Sequence, residues 1–331
     1  MNRSLGMLVA VLPAAAWLVV AGCSSGAGGT GTGKDGGPAA DGSADSGGSG
    51  DAGGDGGAEA TDSGAAGDAG GSSDGSTPGS GSGSVTILTR QAVNGVGSNF
   101  YSANAAFLAL GTGGSGGCTP HTDGPCAIDV CSGGTSADAG APVYQSAGAI
   151  TITGGLAPNG SITLTPNANG TYKPAYGSAK LWNGGEMLTV TAVGAMVPMF
   201  TQQVTAPGFV TVTAPAFPAQ GGTMMINRSQ ALQLTWTGTS SSGQVTFGIG
   251  WNDTQPGGTS GALSCSFAPS SGSGTIPKTS LAYLPATTAA NVSVAVQNLQ
   301  SFTAGNWNLA VNALTTANTP NGEATAQATI Q

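Results

Sequence analysis

The chain has 331 residues, of which only 7% are charged and 59 are glycine, and its formal net charge is −8. Nine of the 15 acidic residues lie in residues 24–84 together with one lysine, so the remainder of the chain is almost neutral. Because there is no basic patch, and the acidic segment would repel phosphate, this composition excludes a nucleic-acid partner.

The N-terminus has the form of an export signal. Arg3 is followed by an almost wholly apolar run over residues 5–22, which closes with small residues. The run is also about long enough to cross a bilayer, so a single membrane anchor is the alternative interpretation. It ends in Val20-Ala21-Gly22-Cys23, which resembles the lipobox of bacterial lipoproteins: an aliphatic residue and two small residues before a cysteine.

This resemblance implies that residues 1–22 are a lipoprotein signal peptide and that Cys23 carries a diacylglycerol on its thiol. Cleavage before Cys23 would then free its amino group for a further acyl chain, and two or more chains are needed for stable attachment. Ser24 occupies the position where an aspartate would imply retention in the inner membrane. The resemblance therefore implies an outer-membrane lipoprotein, exposed at the periplasmic face or at the cell surface.

Residues 23–84 are expected to form the lipidated cysteine and a disordered linker. Residues 24–84 contain no Val, Ile, Leu, Met, Phe, Tyr or Trp. A segment of this kind cannot bury enough apolar surface to offset the entropy lost on ordering. Its Gly, Ser, Ala and Asp content is typical of a flexible linker, which at this length spans roughly 40–45 Å root-mean-square.

Residues 85–331 show apolar side chains at every second position, which is the period of half-buried antiparallel strands. Leu232, Leu234 and Trp236, for example, alternate with polar residues. The same alternation occurs in residues 150–152, 162–164, 188–192, 245–251, 292–296, 307–311 and 324–330. Turn signals such as Asn169-Gly170 separate the runs, and only residues 279–289 suggest a short helical turn. The pattern predicts an all-β fold, an antiparallel sandwich.

Prolines concentrated between Pro198 and Pro218 suggest a boundary that divides the body into modules 85–207 and 208–331. Each module is near the size of an immunoglobulin-like sandwich. The second, with its tryptophan-ended strand and terminal strand pair, resembles bacterial Ig-like or fibronectin-type modules. It departs from antibody-type domains because no cysteines flank Trp236 at the expected places. A single larger sandwich over residues 85–331 is the alternative.

Four cysteines remain once the lipobox cysteine is set aside: Cys118, Cys126, Cys131 and Cys265. An even number of cysteines in an exported protein predicts disulfides. Three of the four lie within one loop, so at least one bridge is expected inside that loop. Cys265 either pairs with the remaining loop cysteine or stays as a buried reduced thiol.

The same loop contains the only histidine of the chain, His121. Together with Cys118, Cys126 and Cys131 it resembles a zinc knuckle with the ligand order permuted. Zinc requires thiolate ligands, and in an oxidising compartment disulfide formation competes for the same sulfurs. We therefore expect a stapled loop with no metal and no cofactor, and keep a metal-binding protein as an alternative.

No enzymatic activity is expected. Residues 85–331 contain six carboxylates, five basic residues and one histidine, and none of the acids are grouped in the sequence. The string Gly113-Gly114-Ser115-Gly116-Gly117 fits the nucleophile-elbow pattern, but no helical period follows it to form the elbow. A catalytic site would need such groups to converge in one cleft.

Three aromatic residues, Tyr172, Tyr176 and Trp182, occur close together with two lysines. Exposed in a loop, they would form a platform for sugar rings or a partner protein. Alternatively, they cover the open edge of a sandwich. The sequence thus predicts a lipid-anchored surface lipoprotein with a non-catalytic binding or adhesion module, whose partner is a glycan or an envelope or surface protein. A structural envelope component without a specific ligand is the alternative.

Overall fold

The computed structural model describes residues 80–92, 98–109, 118–132, 143–157, 160–219, 222–238, 240, 242–252 and 259–331. The predicted signal peptide, the lipobox and most of the predicted linker, residues 1–79, lie outside these ranges. Within them almost all of the regular secondary structure is β-strand, which confirms the all-β class.

The described residues form twenty strands, which in chain order are β1 (Gly81–Arg90), β2 (Phe100–Ala109), β3 (Cys118–Asp123), β4 (Cys126–Ser132), β5 (Ile150–Gly154), β6 (Ser161–Leu164), β7 (Ala175–Gly177), β8 (Met187–Ala192), β9 (Phe200–Thr205), β10 (Thr211–Ala214), β11 (Thr223–Ile226), β12 (Leu232–Thr237), β13 (Gln244–Asn252), β14 (Thr259–Phe267), β15 (Ser273–Ile276), β16 (Thr287–Ala304), β17 (Trp307–Thr316), β18 (Asn318–Thr319), β19 (Gly322–Glu323) and β20 (Thr325–Ile330). The described residues also form a 3-10 turn, Pro269–Ser271, and a short helix, α1, Lys278–Leu281. The helix lies where the sequence suggested a helical turn.

Three sheets make up the body. The largest has 11 strands in the order β3-β4-β14-β13-β16-β17-β1-β2-β7, with β20 beside β16 and β11 beside β20. A 4-stranded sheet has the order β6-β5-β8-β9, and a 5-stranded sheet has the order β15-β12-β10-β18-β19. Most pairs are antiparallel, as predicted, but β1–β17, β11–β20 and β10–β18 are parallel.

One strand, β16, runs for 18 residues through two hydrophobic cores. In its first half, Val292, Val294 and Val296 are buried in a core with β12, β13 and β14, the C-terminal core. Further along, Phe302 and Ala304 pack against a core formed with β1, β2, β5 and β8, the N-terminal core. The predicted alternation in residues 232–237 and 292–296 is confirmed by the burial of these strands.

Near residue 207, where the sequence suggested a boundary, the chain makes one of its passages from one core to the other. Ala206 belongs to the N-terminal core and Val210 to the C-terminal core. However, β17 of the second predicted module pairs along its length with β1 of the first, and β4 pairs with β14. All described residues belong to one compact unit. Neither predicted module therefore contains all the strands of its own core.

The first strand begins at Gly81 rather than at Val85, inside the predicted linker. The Gly-Ser-Gly-Ser stretch has linker composition, yet its glycines lie under aromatic rings of neighbouring strands. Gly83 is directly opposite Phe107, and a β-carbon there would lie 2.1 Å from the phenyl ring. A glycine at such a position leaves room for the aromatic side chain to cross over the neighbouring strand.

Gly83→Val should lower the free energy of unfolding by about 1–3 kcal/mol, because the new side chain overlaps the ring of Phe107. Ser82→Val introduces the same residue on the opposite, exposed face and should change stability by no more than about 0.5 kcal/mol. Urea unfolding followed by tryptophan fluorescence measures both values. Equal stability of the two variants would show that Phe107 moves aside without cost.

Candidate functional site

The two disulfides lie in and beside the hairpin formed by β3 and β4. Cys118 is bonded to Cys131 across facing positions of the hairpin, and Cys126 is bonded to Cys265 across facing positions of β4 and β14. The prediction of disulfides, with one bridge inside the loop, is confirmed. Cys265 is the partner of a loop cysteine rather than a free thiol.

These bridges leave no thiolate for the zinc-binding alternative. All three sulfurs of the proposed Cys118/His121/Cys126/Cys131 ligand set are in disulfides, and an oxidised sulfur does not serve as the thiolate that zinc requires. In the described part of the chain, no group of three or more His, Cys, Asp and Glu side chains is arranged to hold a metal ion.

The segment expected to be a stapled loop is an edge hairpin of the large sheet. Cys126 and Ile128 are buried and face the C-terminal core, with Val130 partly buried against the same core. The alternation of these residues with polar and small ones was present in the sequence. Because glycines, prolines and cysteines surround this short alternation, the sequence was interpreted as a loop rather than as strands.

The hairpin places His121 against Tyr283, which follows helix α1. The two rings are stacked, with centroids 4.3 Å apart and an interplanar angle of 26°. Tyr283 remains 45% exposed. Neighbouring Leu281 and Leu284 are buried in the C-terminal core and fix the position of this turn.

Asp123, two residues after His121 on the same face of β3, holds helix α1 to the hairpin. Its Oδ2 atom accepts hydrogen bonds from the hydroxyl groups of Thr279 and Ser280, the latter at 2.8 Å. These two donors hold the pKa of the Asp123 carboxyl below its ordinary value. We call the group formed by His121, Asp123, Thr279, Ser280 and Tyr283 the stapled edge.

The stapled edge brings hydrogen-bonding groups and aromatic rings together on one surface. A charged carboxylate on β3, a surface hydroxyl on helix α1 and an exposed phenol ring just after that helix lie side by side, and the Cys118–Cys131 disulfide closes the open end of the hairpin to which β3 belongs. The Ser280 hydroxyl donates directly to Asp123, so the imidazole of His121 is not placed between them as a nucleophilic triad requires. Such a set is suited to a ligand with hydroxyl groups and apolar ring faces.

The three aromatic residues predicted to form a platform do not do so, and this expectation is corrected. Trp182 is fully buried, and its indole N–H donates to the Pro207 carbonyl at 3.0 Å. Tyr172 is buried too, and only Tyr176 is substantially exposed, beside Phe100. The first two rings fill the N-terminal core, because each polar atom finds a backbone partner there.

Glu186, in the N-terminal half of the body, is an acidic residue whose carboxylate is bound by backbone N–H groups. Glu186 accepts hydrogen bonds from the N–H groups of Asn183 and Gly184 at 2.7 and 2.6 Å. Partial burial raises the pKa of the Glu186 carboxyl, but these donors outweigh it and the net shift is downward. The carboxylate therefore closes a turn and is not free to bind a ligand.

No protein-family model matches the chain, and no curated protein matches it. Within the ranges that the structure describes, none of the helical segments is long and apolar enough to cross a membrane. Cys23, the predicted lipidation site, lies outside those ranges.

The contact between Asp123 and helix α1 should depend on pH. Since the pKa of the carboxyl is lowered by folding from 3.8, its stabilising contribution is complete above about pH 4. It should decline as the pH falls below that value and be lost as the pH passes through the folded-state pKa. Amide hydrogen exchange of residues 279–283 between pH 6 and pH 2 measures this opening.

Asp123→Asn should remove this pH dependence. Asp129→Asn, on the opposite face of the hairpin, is the matched control and should retain it. Identical profiles for all three proteins would mean that the charge of Asp123 does not hold the helix.

Proposed function

We propose that this protein is a lipid-anchored lipoprotein of the outer membrane whose β-sandwich body is a non-catalytic binding or adhesion module. The anchor is the acylated Cys23, and the segment between Cys23 and Gly81 is the tether. The body binds an external partner, for which a glycan is the best chemical match.

Three features support an exported, anchored protein. The lipobox-like sequence ends an apolar run at the position where a lipoprotein signal requires it. Both disulfides are of the kind that persists in oxidising compartments. The body has six acidic and five basic residues between positions 85 and 331, so its surface relies on hydroxyl and amide groups for solubility.

The stapled edge carries the binding part of the proposal. Tyr283 keeps nearly half of its surface accessible while its ring is fixed against His121. The disulfide framework orders this surface before a ligand arrives, which reduces the entropic cost of binding. A sugar ring stacks its C–H face on an aromatic ring, and its hydroxyls pair with the Oδ1 atom of Asp123, since Oδ2 already accepts from Thr279 and Ser280.

The anchor is tested by the mass of the mature N-terminal peptide after expression of the full chain in a Gram-negative host. We expect cleavage before Cys23 and the mass of an acylated cysteine, whereas Cys23→Ser should remain uncleaved. Protease treatment of intact cells then reports whether the body is outside the cell. An unmodified Cys23 in the wild-type protein contradicts the lipoprotein assignment.

Binding is tested on a glycan array with the detergent-solubilised full chain. Tyr283→Ala should weaken binding by about tenfold, since one aromatic contact contributes on the order of 0.5–1.5 kcal/mol beyond its buried area. Tyr176→Ala removes an equally exposed tyrosine elsewhere and should bind as the wild type does. Absence of any glycan ligand for the wild type would instead favour a structural envelope component.

A further inference from the structure

A second surface lies at the end of the body where β1 begins. Five large apolar side chains are exposed there, and we call them the apolar end: Leu108, Tyr144, Val193, Met196 and Met199. Met199 is 75% exposed and Val193 64%. Exposed apolar side chains grouped in this way mark a contact surface.

Backbone contacts make these side chains neighbours. Leu108 forms a β-bridge with Tyr144, and the chain after Tyr144 runs beside the loop that connects β8 to β9. The Gly194 N–H of that loop donates to the Ala147 carbonyl at 2.9 Å. Pro198 of the same loop lies against the turn between β16 and β17, 3.2 Å from the position a β-carbon on Gly305 would take.

Tyr172 fixes this end of the body from within. Its hydroxyl accepts a hydrogen bond from the Ala147 N–H and donates one to the Gly148 carbonyl, both at 2.8 Å. Its ring packs on Phe107, and Phe107 in turn lies near Phe200. The loop between β8 and β9 therefore lies over packed aromatic rings. Its two methionines and its valine Val193 stay at the surface because the core beneath them is filled.

Charge is absent from the described segments that build the apolar end. Residues 81–84, 104–109, 143–149, 192–200 and 302–309 contain no Asp, Glu, Lys or Arg. Arg90 and Lys180 lie at the other end of β1, about 30 Å away for a ten-residue strand. Lys173, directly after Tyr172, is exposed.

The chain that leads to Cys23 enters the body at this same end. It joins β1 at Gly81, which is opposite Ala109 on one side and Trp307 on the other. We propose that the apolar end docks on the bilayer that holds Cys23; this inference rests on the proposed lipid anchor. Val193, Met196 and Met199 then enter the boundary between headgroups and acyl chains, as the apolar face of a peripheral protein does.

This orientation agrees with a ligand site at the stapled edge. His121 lies level with Val292 of β16 in the register of the sheet, whereas the apolar end lies beyond Ala304. Twelve residues of strand separate the two levels, or about 40 Å. A body that stands on its apolar end therefore holds the stapled edge well above the lipid surface.

The test uses the acylated full chain in vesicles of phosphatidylethanolamine and phosphatidylglycerol, with a protease site inserted at residue 60 of the linker. After the linker is cut, flotation measures how much of the body stays with the vesicles. We expect the wild-type body to remain bound and Met199→Asp to reduce its bound-to-free ratio by about tenfold or more. Met225→Asp, an exposed methionine of the C-terminal half, is the matched control and should stay bound.

Complete release of the wild-type body, to the same extent as Met199→Asp, would overturn the proposal. Retention only on vesicles that also carry envelope proteins would overturn it in favour of a protein partner. Amide exchange of residues 193–199 in the same vesicles separates this inference from the anchor. An unprotected loop with an acylated Cys23 refutes docking alone, whereas a protected loop with an unmodified Cys23 supports docking and refutes the anchor.

Discussion

Strand β16 determines where both cores lie. Side chains of one parity along a strand share a face, so the valines of its first half and Phe302 near its end lie on the same side of the sheet. Two amide side chains occupy that face between the cores. Asn298 donates to the Thr205 carbonyl at 3.0 Å, and Gln300 donates to Asn298 at 3.3 Å. A hydrogen-bonded seam therefore separates two apolar cores that one sheet holds in register.

The glycine content of the body has a packing explanation beyond turns. At four directly paired positions a glycine on one strand lies beneath a ring on its neighbour: Gly81 with Trp307, Gly83 with Phe107, Gly177 with Tyr101, and Gly261 with Trp251. At each of them a β-carbon would approach the ring closer than any real contact allows. The large aromatic side chains cover the backbone that the glycines leave exposed. This packing stabilises strands whose glycine content gives them a low intrinsic β-propensity. Few charged residues are then needed to set the register.

Local alternation in the sequence was sufficient to predict the strands around Trp236 and Val294, because each buries one face. It contained no information on partners far apart along the chain, such as β1 and β17, whose pairing depends on tertiary contacts. The Gly-Ser start of β1 was assigned to the linker from its composition, because its place in the sheet depends on packing under an aromatic ring of another strand. The stapled edge depends likewise on a contact between His121 and Tyr283. The sequence did not predict the burial of Tyr172, because burial requires backbone partners for its hydroxyl that only the folded structure provides.

Strand β1 is held on both sides, in parallel by β17 over residues 81–89 and in antiparallel by β2 over residues 81–90. The chain toward the N-terminus joins this strand at one end, Gly81. A pull on that chain is directed across the hydrogen bonds of both ladders, so they carry the load together instead of opening one by one. At the other edge of the sheet, the Cys126–Cys265 bond carries force covalently from the hairpin into β14. A force applied along β1 would therefore meet two hydrogen-bonded ladders at once, and a force on the hairpin would meet a covalent bond.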